Sequence, residues 1–307
     1  SHALVQGRVN GVEFETAVFT NLSHDHLDYH GSMDAYGRAK LQLFTTEGLV
    51  NAIVNEDDEF APMVRAVIDQ GVRVLCYSAA GADADVRIED ARVHADGVSG
   101  RLCSPWGNGE FSSALPGDFN LANIAAAVAT LGAAEVDFDA LLAALQSLRP
   151  VAGRMQLIPN ASGIHVIVDY AHTPDALGKV LSSLRPHVEG RLVTVFGCGG
   201  DRDREKRQVM GRVACEMSDH VIVTSDNPRG EAPAGILQDI ETGCFGDYVL
   251  EVDRAEAIKL ALGDTAAGDC VVIAGKGHEN YQLVEGERLY FSDEEQALAA
   301  LAARAGS

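Results

Sequence analysis

The chain has 307 residues, 47% hydrophobic and 22% charged, a globular composition with room for two domains. Its net charge of −21 argues against nucleic acid as a partner, since duplex binding draws on a basic surface. No run of about 18 apolar residues is present to span a membrane.

An anionic ligand would need a site built locally from Arg, Lys, backbone N–H groups or a metal. The six cysteines (76, 103, 198, 215, 244 and 270) form no C-x-x-C pair and read as free thiols of a reducing cytosol. The N-terminus lacks a basic segment followed by an apolar one, so it does not read as a signal peptide. It starts at Ser1-His2 without Met, as the middle of a longer protein would.

Residues 14–22 read as a strand, 23–32 as a polar loop and 33–48 as a helix with Met33, Tyr36, Leu41, Leu43 and Phe44 on a rough stripe. A strand over 50–54 follows. Glu56-Asp57-Asp58-Glu59 then reads as a helix start, where carboxylates suit the dipole. After a strand at 71–78, short alternating segments over 85–116, broken by Asp96-Gly97 and Gly107-Asn108-Gly109, predict hairpins. Helices are predicted over 118–132 and 137–148. Arg149-Pro150-Val151-Ala152-Gly153-Arg154 interrupts the pattern and divides a first domain, 1–150, from a second, 151–307.

From 155 onward strands and helices alternate, with helices near 174–186, 203–217, 233–243, 254–263 and 293–304. This is the pattern of a doubly wound α/β domain. Four short β-branched runs each end in a polar loop. They lead into Asp169-Tyr170-Ala171-His172, Gly197-Cys198-Gly199-Gly200-Asp201-Arg202-Asp203, Asp226-Asn227-Pro228-Arg229 and Gly275-Lys276-Gly277-His278-Glu279. Runs without alternation are strands buried on both faces, and such sheets bind ligands at their carboxyl ends. Arg beside Asp and Glu is also what a zwitterion needs, the guanidinium for its carboxylate and the acids for its ammonium.

In the first domain, His24, His26, Asp28 and His30 are a dense set of metal-ligand types. They approach the His-x-His-x-Asp-His pattern of dinuclear zinc hydrolases, except that Tyr29 separates Asp28 from His30. Mg²⁺ would need only one or two of them. Asn120 and Asn123 share one face of a helix start, where they would cap the helix or read a purine edge. A P-loop pattern, Gly-x₄-Gly-Lys-[Ser/Thr], occurs nowhere in the 307 residues.

Thr20-Asn21-Leu22-Ser23, Asp25-His26-Leu27-Asp28-Tyr29-His30-Gly31, Gly153-Arg154-Met155 and the four strand-end motifs together resemble the Mur ligases. The resemblance runs in order along nearly the whole chain. Asp-Asn-Pro-Arg is the form found in members that add meso-diaminopimelate; the lysine-adding members lack this Arg. The implied fold is α/β: an incomplete central ATP-binding domain followed by a Rossmann-like C-terminal domain. The implied activity is ATP- and Mg²⁺-dependent addition of meso-diaminopimelate to UDP-MurNAc-L-Ala-D-Glu through an acyl phosphate, a cytoplasmic step of peptidoglycan synthesis. A monomer is expected.

Carried over by position, the resemblance gives His26 and a carbamylated Lys40 as metal holders. Asn120 and Asn123 fall by the adenine, Arg154 near the phosphates, Asp169 near the ribose and His172 near the nucleotide. Gln6 and Arg8 grip the muramoyl peptide. Arg202, Asp226, Asn227, Pro228, Arg229, Gly275 and Glu279 form the diaminopimelate pocket. His24 stands where relatives often carry Arg and is not counted as a ligand. Because the P-loop is missing, the 307 residues alone are expected to be inactive. Two further readings stay open: a metal-dependent hydrolase built on the His24-to-His30 cluster, and a non-catalytic amino-acid-binding module.

Overall fold

The computed structural model describes residues 1–94 and 96–305. The chain forms two compact units, Ser1–Arg149 and Pro150–Ser307. No helix among the described residues is long and apolar enough to cross a membrane.

The first unit is a six-stranded sheet whose spatial order follows the chain: β1 (Thr16–Phe19), β2 (Asn51–Asn55), β3 (Arg73–Ser78), β4 (Val86–His94), β5 (Gly97–Ser104) and β6 (Gly107–Ser113). β1 to β4 pair in parallel, and β4 to β6 form an antiparallel meander, the hairpins foreseen for 85–116. β2 is buried along its whole length.

The helices of this unit are α1 (His2–Val5), α2 (Leu27–His30), α3 (Met33–Leu41), α4 (Ala61–Val67), α5 (Phe119–Ala133) and α6 (Phe138–Ser147). Phe19, Phe44, Val54 and Val64 make one core, and Ile53, Leu75, Tyr77, Leu102, Ile124 and Val128 another. Adjacent β2 residues thus feed opposite cores, which is why the run shows no alternation.

Three readings are corrected here. The helix foreseen over 33–48 is α helical only to Leu41 and tightens into a 3₁₀ turn over Gln42–Thr45. Glu56 to Glu59 do not start a helix, because α4 begins at Ala61 with no acidic residue in its first turn. The carboxylates of Asp57 and Asp58 bind neighbouring segments instead, and Glu56 pairs with Arg65 of α4. Asp57 accepts from Ser78 Oγ at 2.6 Å and from the Ala79 amide at 2.8 Å. Asp58 accepts from the Leu22 amide at 3.0 Å. Asn120 and Asn123 do not cap α5. Asp118 does so, through Phe119 N, while Asn120 donates to the Pro116 carbonyl and Asn123 to Asn120 Oδ1.

The second unit holds β7 (Gln156–Leu157), β8 (His165–Asp169), β9 (Leu192–Phe196), β10 (His220–Val223), β11 (Tyr248–Leu250) and β12 (Cys270–Ala274), in the order β11-β10-β9-β12-β8-β7. All pair in parallel except the edge strand β7. β9 and β12 are wholly buried. The chain runs outward from β9 to β11 and returns to insert β12 between β9 and β8. The helices are α7 (Pro174–Leu184), α8 (Glu205–Met217), α9 (Pro233–Glu241), α10 (Arg254–Gly263) and α11 (Asp293–Ala305). Ile258, Leu262, Ala297 and Leu301 from α10 and α11 pack on Val168, Val195, Val271 and Ile273 of the sheet. Each buried Ile, Leu or Val among them contributes roughly 1.5–3 kcal/mol by leaving water.

The hairpin β13 (Tyr281–Val284) and β14 (Glu287–Tyr290) escaped the sequence reading. Its turn residues Glu285 and Gly286 both take positive φ, 50° and 85°, the geometry of a two-residue hairpin turn.

Candidate active site

Parallel pairing brings the carboxyl ends of β8, β9, β10 and β12 to one rim of the second unit. Thr173 and Pro174 end the β8 loop by capping α7, with Thr173 Oγ1 accepting from Ala176 N at 3.2 Å. Where β12 ends, Gly275 takes φ of 115°, and a Cβ there would fall 2.6 Å from Asp226 Oδ2. Only glycine lets the Asp226 carboxylate come this close.

Lys276 follows, with none of its side chain exposed. Its ammonium lies 3.2 Å from Asn227 Oδ1, 3.5 Å from Glu279 Oε2 and 3.9 Å from Asp226 Oδ1. Burial holds its pKa below the ordinary lysine value, and Asp226 pulls the other way. Asn227 Oδ1 also accepts from Leu283 N of the hairpin at 3.0 Å. The amide is therefore oriented: its Nδ2 donates to Glu279 Oε2 at 2.9 Å. Gln282 adds a bond to the Asp226 carbonyl at 2.9 Å.

Arg229, at a left-handed φ of 54°, donates to the Gly200 carbonyl at 2.8 Å and so joins the β10 and β9 loops. Arg202 lies exposed on the β9 loop, and Pro228 is buried between Asn227 and Arg229. Beneath that loop the buried Arg207 grips both oxygens of Glu231, at 2.8 and 2.9 Å, and reaches Asp239 at 2.8 Å. Its hydrogen bonds hold the Glu231 carboxyl well below the usual glutamate range, at about 2.

On the β8 side Asp169 is buried and accepts from Met155 N at 2.8 Å and Ala171 N at 2.7 Å. Burial raises its pKa against the pull of those bonds. The exposed Arg154 guanidinium stacks on Tyr170, 4.5 Å from the ring centre. His172 Nδ1 lies 2.8 Å from the Tyr170 carbonyl.

In the first unit, His26 takes a left-handed φ of 58° ahead of α2 and pairs with Asp25 at 3.3 Å. Its ring packs 5.8 Å from Tyr36 and 4.7 Å from His2. Lys40 places its ammonium 5.1 Å from the Tyr36 ring centre. Burial lowers the Lys40 pKa, with Asp58 and Asp25 opposing. Gln6 and Arg8 are exposed beyond α1. No group of three His, Cys, Asp or Glu side chains among the described residues is arranged to hold a metal. The zinc-hydrolase alternative therefore lacks its ligand set. His30 is turned aside, stacked on Tyr36 at 5.1 Å and 3.0 Å from Ser1 Oγ.

Residues 1–131 match the Mur ligase middle domain and residues 153–277 the Mur ligase glutamate ligase domain. The chain belongs to the Mur ligase family. A Gloeobacter violaceus protein named UDP-N-acetylmuramoyl-L-alanyl-D-glutamate–2,6-diaminopimelate ligase is 50% identical over 308 residues, covering 99% of this chain and 62% of its own length. A Coxiella burnetii protein of the same name is 47% identical, covering 98% and 63%. A solved structure of a ligase of that name aligns with a TM-score of 0.62 at 42% identity, over 100% of this chain and 64% of its own. This Mur ligase chain thus spans less than two thirds of the length of the curated relatives it matches.

Within the Mur ligase C-terminal unit, the structure gathers Asp226, Asn227, Arg229, Gly275 and Glu279 into one network, and Arg154 and His172 around Tyr170. Lys276, Tyr170 and Gln282 belong to the same rim but had been given no role. Lys276 and Tyr170 lie inside quoted motifs, yet an isolated Lys or Tyr reads as a solvated charge or a packed ring. Only their burial and partners single them out.

Proposed function

We propose that this chain carries the nucleotide- and amino-acid-handling residues of a meso-diaminopimelate-adding Mur ligase (MurE), in the cytoplasmic stage of peptidoglycan precursor synthesis. ATP transfers its γ-phosphoryl group to the D-Glu γ-carboxylate of UDP-MurNAc-L-Ala-D-Glu, giving ADP and an acyl phosphate. The diaminopimelate amine attacks the acyl carbon, loses a proton, and phosphate leaves as the amide forms.

The observation that carries this reading is the Asp226–Asn227–Lys276–Glu279 network beside Arg229, Arg202 and Gly275. Its carboxylates suit the ammonium of an amino acid, and the guanidiniums suit a carboxylate. Diaminopimelate has one more carboxylate than lysine, and Arg229 is assigned to it, with Pro228 shaping the turn. Arg154 and His172 face the nucleotide, Arg154 toward its phosphates. Asp169, with both oxygens bonded to backbone amides, orients the β8 loop beside the ribose. Asn120 and Asn123 are assigned to the adenine, and Gln6 and Arg8 to the muramoyl peptide.

Mg²⁺ fits His26 and Lys40 only as an open site, with water and phosphate oxygens completing the shell. When bound, it would neutralise charge between carboxylate and triphosphate. A lowered Lys40 pKa leaves more free amine to add carbon dioxide, so a carbamate on Lys40 would supply the oxygens that the unmodified amine lacks.

Kinetics of the full-length ligase with diaminopimelate and lysine test the reading. Arg229→Ala is expected to lower kcat/KM for diaminopimelate by roughly tenfold to a hundredfold and for lysine far less. Equal losses for both amino acids would remove the Arg229 assignment, and a wild-type enzyme that ligates neither would remove the function. Without a P-loop, the 307 residues alone are expected to give no ATP-dependent ligation.

A further inference from the structure

Tyr170, the first residue after β8, stands between the two groups of residues that the proposed function separates. One face of its ring carries the Arg154 guanidinium at 4.5 Å. The His172 and His278 rings pack at 4.9 and 5.5 Å. Its hydroxyl donates toward Glu279 Oε1 at 3.4 Å, while Glu279 Oε2 accepts from Asn227 at 2.9 Å. The ring is also held at its root: a Cβ on Gly277 would lie 2.8 Å from Tyr170 Cβ, so the chain after β12 closes directly against it.

We propose that Tyr170 is a positioning residue that couples the nucleotide-side Arg154 to the amino-acid-side Glu279, an inference that rests on the ligase reading above. A cation over the ring draws electron density from the phenol and makes its O–H a stronger donor to Glu279. A carboxylate on the hydroxyl returns density to the ring and makes it a better seat for the cation. Such contacts polarise one another. Ordering Arg154 therefore orders Glu279, and by linkage the reverse holds. A ring that only filled space would support both substrates equally.

The experiment is steady-state kinetics of the full-length ligase, wild type against Tyr170→Phe and Tyr170→Leu, varying ATP and meso-diaminopimelate separately. Tyr170→Phe keeps the ring under Arg154 and removes only the hydroxyl. It should raise KM for diaminopimelate roughly threefold to tenfold, with a smaller change in kcat and KM for ATP within about twofold. Tyr170→Leu removes the ring as well, and should add a rise in KM for ATP of about twofold to fivefold. A KM for ATP that rises in Tyr170→Phe as much as KM for diaminopimelate does, or no rise in either, overturns the proposal. Tyr170→Leu matching Tyr170→Phe in KM for ATP overturns the Arg154 half of it. A wild-type enzyme that fails to ligate diaminopimelate overturns the functional reading itself, and the proposal with it.

Discussion

Arg254 donates to both oxygens of Asp293, at 2.7 and 2.8 Å, and neither side chain reaches solvent. The same guanidinium reaches the Ser225 carbonyl at 3.3 Å and the Ala274 carbonyl at 2.9 Å. These are the residues just before Asp226 and Gly275. One buried ion pair between the start of α10 and the start of α11 thus holds two of the three loops of the proposed amino-acid pocket.

Breaking this pair leaves a buried charge without its partner. Arg254→Met is expected to lower the unfolding free energy by about 3–5 kcal/mol, measured by urea denaturation of the isolated chain. A loss below about 1 kcal/mol would mean that Asp293 relaxes into water and that the pair does not brace the loops.

Gly275→Ala would place a methyl carbon against Asp226 Oδ2 at a φ of 115°. The backbone strain costs of order 1–3 kcal/mol, and the carboxylate must move. Calorimetric titration with diaminopimelate should show weaker binding together with a lower melting temperature. Unchanged affinity would show that Asp226 is not part of the pocket.

Lys276→Met removes the buried ammonium that faces Asp226, Asn227 and Glu279 and leaves the two carboxylates without it. We expect KM for diaminopimelate to rise roughly tenfold or more, with KM for ATP changing far less. The reverse split would place Lys276 with the nucleotide.

Glu231 titrates at about 2 in the folded chain against an ordinary value of 4.5. Because the folded value is the lower one, this carboxylate stabilises the chain above pH 4.5. That contribution declines as pH falls from 4.5 toward 2. Glu231→Gln should therefore lower the melting temperature at neutral pH, and the gap to wild type should narrow as the solution is acidified through that window. A gap that stays constant with pH would show that the Arg207 pair is not its source.

Much of the second unit was legible because its signals are local. The runs at 165–169 and 192–196 lie on strands, and the helix foreseen over 254–263 is α10. A β-branched run flanked by turn residues states its own conformation. Errors arose where a side chain had a choice of partner: Asp57 and Asp58 went to loop amides, and Asn120 to a carbonyl.

The sequence by itself determined the family resemblance, the alternation of strands and helices, and the residue types delivered to each strand end. Apolar periodicity and turn chemistry are short-range, and motifs survive as spacing along the chain. Only the tertiary structure decided which of those residues meet. β12 returns to lie between β9 and β8, and that strand order sets Glu279 beside Tyr170 across 109 positions of sequence. It likewise sets Asp293 beside Arg254 across 39. Burial then assigns Lys276 its part, because an ammonium shut away from water must find its partners within the protein.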